Sequence, residues 1–174
     1  RFEGDVIQPF PKDLSRIFCG LPLIGTENVG IPFILNSMNF TPTTEREGVE
    51  LEPGSNEVNR KLFSDSTILY GLLLDYVANN KLKNAFYLTR LRDSYNGTQI
   101  SKQQFFAFYL SQYKSQVLNH NIVINTNNEF ISFSRMLLPF KDSKADLELY
   151  KNSKLLNDSL LPQESDYQAW FEAT

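Results

Sequence analysis

The sequence predicts an α+β fold: a small N-terminal β-sheet, then a helical region, then a late β-hairpin. Three observations predict it. Short apolar runs in residues 1–55 are cut by Pro and Gly at strand-length intervals. Residues 56–80 and 101–118 carry apolar side chains at helical spacing. Residues 122–124 and 130–133 are β-rich runs that flank the Asn-rich turn Asn125-Thr126-Asn127-Asn128.

Residues 17–23 are closed by Pro22 and Gly25 and read as a buried strand. Residues 31–35 read as a second strand, with Pro32 suited to its start or to an edge. A polar loop follows, Thr43-Thr44-Glu45-Arg46-Glu47-Gly48, and Pro53-Gly54 is a strong break. A helix is expected over 56–80, capped by Ser55 or Asn56 and ended by Asn79-Asn80. Its expected apolar stripe is Val58, Leu62, Leu69, Leu72, Leu73, Tyr76 and Val77. A shorter helix over 83–94 offers Phe86, Leu88 and Leu91 for burial. Ser101 and Gln104 fit a capping box, in which each side chain takes the other residue's amide. The helix behind them carries Phe105, Phe106, Tyr109, Leu110, Tyr113 and Val117, a stripe that reads as core packing. After the hairpin, Ser134 caps a short turn ending at Pro139, and residues 143–152 read as helix. A last helix starts near Ser165 or Asp166 and carries Tyr167, Trp170 and Phe171. Three segments result: 1–55, strand-rich with an arginine loop; 56–120, helical; 121–174, a hairpin plus short helices. Together they make one domain, or one domain with an appendage.

A hydrophobic share of 41% against 21% charged residues is that of a globular chain, not a disordered one. Net charge is -3, with no basic block to neutralise a phosphate backbone, so nucleic acid is not an expected partner. No apolar run approaches a membrane span, and no membrane partner is expected. The single cysteine, Cys19, reads as a buried small hydrophobe and fits a reducing, cytoplasmic setting. The chain opens on Arg1 without a leader-like segment and is expected to be a piece of a longer polypeptide.

Chemical signatures are missing. The chain lacks GxGxxG and GxxxxGK[ST], and one Cys with one His excludes a Cys/His metal site. Asp142 and Asp146 are spaced as one helical turn, and Glu45 and Glu47 share a loop; both pairs read as solvated surface. His120, at the end of the helix that starts near Ser101, reads as a C-terminal cap favoured by the helix dipole. Arg46 is the residue that stands out. Either it pairs with Glu45, Glu47 or Glu50, or its planar, always-charged fork reaches a phosphate on another domain.

The run Ile17-Phe18-Cys19-Gly20-Leu21-Pro22-Leu23-Ile24-Gly25-Thr26-Glu27 and the run Ile31-Pro32-Phe33-Ile34-Leu35-Asn36-Ser37 precede the loop Asn39-Phe40-Thr41-Pro42-Thr43-Thr44-Glu45-Arg46-Glu47-Gly48. This order resembles sacsin and its bacterial relatives, which carry an ATP-binding domain of the heat-shock-chaperone (GHKL) type. The close likeness covers residues 13–50; the long helix from Asn56, the pair 122–133 and the closing Leu160-Leu161-Pro162 to Trp170 follow the family's order in layout only. The resemblance implies a segment that follows the ATP-binding domain, similar to the middle or transducer domain. The family's catalytic Glu, Mg-binding Asn, DxGxG motif and Gly-rich lid are absent here and would lie upstream. It further implies ATP and Mg in the parent protein, none in this piece, and no enzyme activity for the piece alone. The upstream ATP-binding domain and a protein client are the implied partners, and Arg46 the implied phosphate sensor. Thr43-Thr44-Glu45 departs from the family's loop by losing a proline. An interaction module of an unrelated system, with the aromatic helix 101–118 lining a groove, is the alternative; a stand-alone enzyme using scattered carboxylates is weaker still. The first reading expects two neighbouring strands with the Arg46 loop projecting from one end.

Overall fold

Gly20 decides the fate of the first apolar run, and Pro32 that of the second. The computed structural model describes residues 2–92 and 94–174. Its strands and α-helices, in chain order, are β1 (Phe2–Glu3), β2 (Val6–Ile7), β3 (Ile17–Cys19), β4 (Leu21–Pro22), β5 (Leu35–Asn36), α1 (Glu57–Asn79), α2 (Phe86–Thr89), α3 (Lys102–Phe105), α4 (Ser111–Asn119), β6 (Asn121–Ile124), β7 (Phe130–Ser132), β8 (Phe140–Lys141), β9 (Lys144–Ala145), α5 (Leu147–Asn157) and α6 (Tyr167–Ala173). A π-helical turn, Phe106–Leu110, joins α3 to α4. The fold is α+β, with helices in the middle of the chain and strands towards both ends. No helix among the described residues is long and apolar enough to cross a membrane.

The chain divides into two compact units, and each draws on more than one of the three consecutive segments. One comprises residues 9–72 and 90–116; the other comprises residues 2–8, 73–89 and 117–174.

In the first unit, residues 17–23 are not one strand. Gly20, at φ +70°, turns the chain back on itself, so β3 pairs antiparallel with β4 and Leu21 is left 67% exposed. Residues 31–35 also differ from expectation. Ile31 and Phe33 are buried, yet only β5 pairs, in parallel with β3 (Ile17 opposite Leu35, Phe18 opposite Asn36). Pro32 offers no N–H to a ladder, and Gly30 gives both its backbone groups to Ser94 and Arg92 instead.

Helix α1 starts and ends as expected. The Asn56 side chain accepts from the Asn59 amide at 3.0 Å, and Asn80 donates to the Tyr76 carbonyl at 2.8 Å. Its buried face is only partly the expected one. Val77 is buried as expected, but Asn59, Phe63, Ser66, Thr67 and Tyr70 are buried as well, whereas Val58, Leu69, Leu72 and Tyr76 face solvent. The polar members can be buried because each is satisfied: Ser66 bonds the Phe63 carbonyl at 2.6 Å and meets the Tyr113 hydroxyl, and Thr67 donates to the Ser64 carbonyl at 2.7 Å. Aromatic packing sets the rotation of the helix. Phe63 lies against Phe40, Phe105 and Tyr109, and Tyr70 lies against Phe33 and Tyr113. The capping box at Ser101 and Gln104 is present, and Phe105, Tyr109, Leu110 and Tyr113 are core residues. Phe106 is not, at 45% exposed.

In the second unit, α2 is only four residues long, with Phe86 and Leu88 buried; Asp93, inside the longer helix expected over 83–94, lies outside the described residues. Trp170 of α6 packs between Phe86 and Phe133. The hairpin β6–β7 forms around Asn128 at φ +62°. Buried Asn125 holds its turn, accepting from the Asn127 and Glu129 amides at 2.9 and 2.8 Å. Phe133–Arg135 form a 3-10 turn in place of the turn expected from Ser134 to Pro139. Residues 143–152 are not a single helix. Asp142 and Ser143, both with positive φ, turn β8 into β9, and α5 begins at Leu147 behind its cap Asp146. Tyr150, Leu161 and Tyr167 form a buried cluster beside α5.

Candidate functional site

Residues 42–49 carry Arg46 and close as a hairpin. Pro42 bridges Val49, the Thr43 amide donates to the Gly48 carbonyl at 2.9 Å, and the Arg46 amide donates to the Thr43 carbonyl at 2.9 Å. The Thr43 hydroxyl accepts from the Glu47 amide at 3.2 Å. Arg46 itself lies in the left-handed region, at φ +55°. That conformation costs a non-glycine residue about 1–2 kcal/mol and persists only where the surroundings enforce it.

The base of the loop is held from two sides. Asn59, buried on the first turn of α1, accepts from the Thr41 amide at 2.9 Å and donates to the Thr41 and Glu50 carbonyls at 2.8 and 3.2 Å. One side chain thus ties the strand entering the loop to the strand leaving it. The Val49 and Leu51 amides donate to the Gly97 and Thr98 carbonyls at 2.8 and 3.1 Å. Gly48 lies flat on Gly97, and any Cβ at 48 would overlap the Gly97 backbone. Asn59→Ala is therefore expected to cost about 2 kcal/mol, because it removes three hydrogen bonds made by a buried side chain to the Thr41 and Glu50 backbone. Urea denaturation reads the loss, and hydrogen exchange should localise it to the Thr41 amide.

The Arg46 side chain is exposed and makes no ion pair or hydrogen bond among the described residues. Glu45, Glu47 and Glu50 do not pair with it. Beside the loop lies an open hollow of about 440 Å³, lined by Thr43, Glu45, Glu47, Glu50, Glu52 and Gln99 among others; Arg46 is outside it. Four carboxylates repel a polyphosphate. Among the described residues no three His, Cys, Asp or Glu side chains are grouped to hold a metal.

The other singled-out residues are scattered. Cys19 is half-buried, not buried, and its thiol donates to the Phe40 carbonyl at 3.0 Å. His120 follows α4 and stands 3.4 Å from Asp75. Asp142 and Asp146 do not share a helix face: the first sits in the β8–β9 turn, and the second accepts from the Leu149 amide at 2.9 Å as the cap of α5. Glu45 and Glu47 are exposed.

Asn59, Gly48 and Gly97 shape the loop and do not stand out in the sequence. An asparagine three residues after a helix cap reads as part of the cap, and a glycine flattened on another glycine leaves no local pattern. No protein-family model matches the chain, and no curated protein and no solved structure matches it either.

Proposed function

We propose that this chain is the non-catalytic middle or transducer-like region of a sacsin-like, GHKL-type ATPase, acting in the cytoplasm beside an ATP-binding domain that precedes it. In this reading Arg46 reaches from its loop to a phosphate held by that domain and couples nucleotide state to the rest of the molecule. ATP and Mg belong to the parent protein, and a protein client is a further partner.

One observation carries the reading: a loop tied at its base that holds an unpaired guanidinium on a left-handed backbone, with acidic neighbours that leave it free. The loop fixes the backbone from which the guanidinium extends, and its planar fork matches the geometry of a phosphate. β3 and β5 lie side by side ahead of the loop, as this reading expects of two neighbouring strands.

The four glutamates of the hollow beside the loop make an expectation for the isolated chain. Calorimetric titration with Mg-ATP should show no saturable binding up to millimolar nucleotide. Tight binding by the chain alone would contradict the division of labour. The alternative, an interaction module of an unrelated system, draws support from the solvent-facing leucines of α1 instead.

A further inference from the structure

We propose that the exposed face of α1 is a self-association surface, on which a second copy of this chain lays its own α1 antiparallel. The proposal stands independently of the ATPase reading. Val58, Leu62, Asp65, Leu69 and Leu72 follow one another in alternating steps of four and three residues, the spacing of a seam that receives another helix. In and beside the seam, Val58 is 53% exposed, Ile68 and Leu69 63%, and Leu72 59%. The core of their own unit takes the other face of the helix, through Phe63, Ser66 and Tyr70. All the seam residues lie in one compact unit.

The seam complements itself in one direction only. About a two-fold axis at the level of residue 67, Leu62 meets the second copy's Leu72, Asp65 meets its Leu69, and the two Ile68 side chains flank the seam about 3 Å apart along the helix axis. Run parallel, Asp65 would face Asp65 in an apolar seam, a like-charge contact that destabilises. In the antiparallel arrangement each Asp65 keeps its own Lys61, 2.7 Å away, as counter-ion. A single polar position among leucines then fixes the register.

The area sets the strength. Val58, Ile68, Leu69 and Leu72 each leave on the order of 100 Å² of apolar surface in water. With flanking groups, two copies would bury roughly 1,000–1,200 Å² in total, the low end of specific interfaces. The expected dimer is reversible and concentration-dependent.

Sedimentation velocity on the full chain, from micromolar to hundreds of micromolar, tests this. A monomer–dimer equilibrium is expected. Leu69→Glu with Leu72→Glu should weaken it at least about tenfold, with circular dichroism and melting temperature unchanged, because both side chains are exposed. In a Cys19→Ala background, Ile68→Cys should oxidise readily to a disulfide-linked dimer. Val58→Cys should not, because two copies of residue 58 would lie about 27 Å apart along antiparallel helices. A chain that stays monomeric at every concentration overturns the proposal and leaves the face to a different partner. A dimer indifferent to the glutamates, or efficient self-linking at residue 58, overturns it as well.

Discussion

Phe63→Ala is expected to destabilise the protein by about 3–5 kcal/mol, while Leu69→Ala, six residues along the same helix, should stay within about 0.5 kcal/mol. Phe63 is fully buried, with ring centroids at 5.3 Å from Tyr109, 6.1 Å from Phe40 and 6.5 Å from Phe105. Truncation removes the ring's transfer free energy and leaves a cavity among three aromatic rings that cannot collapse without moving α3 or α1. Leu69 has little to lose, since most of it already faces water. Urea denaturation below any self-association concentration measures both. The contrast decides the rotation of α1. A larger cost at Leu69 than at Phe63 would mean that the leucine seam, not the aromatic face, is the core side.

Raising the pH above about 10 should unfold the protein steeply. Burial, followed by the neighbouring Tyr113, pushes the Tyr70 hydroxyl well above its ordinary value of 10.0. Burial pushes Tyr113 up too, against the lowering effect of its bond to Ser66. Burial, then Glu164 and Tyr167, raises Tyr150 to about 12. A raised acid pKa means that the folded state holds its proton where the unfolded chain has lost it. The stability from these tyrosines is fully present below pH 10 and is lost as pH rises through the folded values. Each of the two most deeply shifted residues, Tyr70 and Tyr113, should contribute a slope of about 1.4 kcal/mol per pH unit above 10. Denaturation series between pH 9 and 12 read this directly. Tyr70→Phe should flatten the slope by about one proton's worth. A stability unchanged up to pH 12 would show that these hydroxyls are hydrated in the folded state.

Local features were legible because their physics is local. The capping box at Ser101, the Asn56 cap, the end of α1 at Asn79 and the Asn-rich turn of β6–β7 depend on a few consecutive residues, and each forms where its sequence places it. Features set by distant packing, or by one or two residues turning left-handed inside an apolar or helical run, were not. Helix α1 has two apolar faces, and counting leucines selects the one that ends in water; the core prefers the aromatic face with Ser66 and Thr67 folded into it. Residues 17–23 look continuous in apolar content, yet one glycine with positive φ splits them. The helix expected at 143–152 starts late because Asp142 and Ser143 accept left-handed geometry.

The same division runs through the candidate site. Arg46 was visible as an arginine in a loop of threonine and glutamate after a short strand. The features that make the loop rigid were not: Asn59 reaching back from α1, and Gly48 resting on Gly97, come together only in three dimensions.

The most direct measurement is ATP turnover in a polypeptide that includes the ATP-binding domain proposed to precede this chain, with and without Arg46→Ala. The guanidinium makes no bond to the described residues, so the variant should keep its melting temperature. Turnover should fall by about tenfold or more, equivalent to about 1.4 kcal/mol of lost transition-state stabilisation. A folded Arg46→Ala protein that hydrolyses ATP at the original rate would contradict the proposed role.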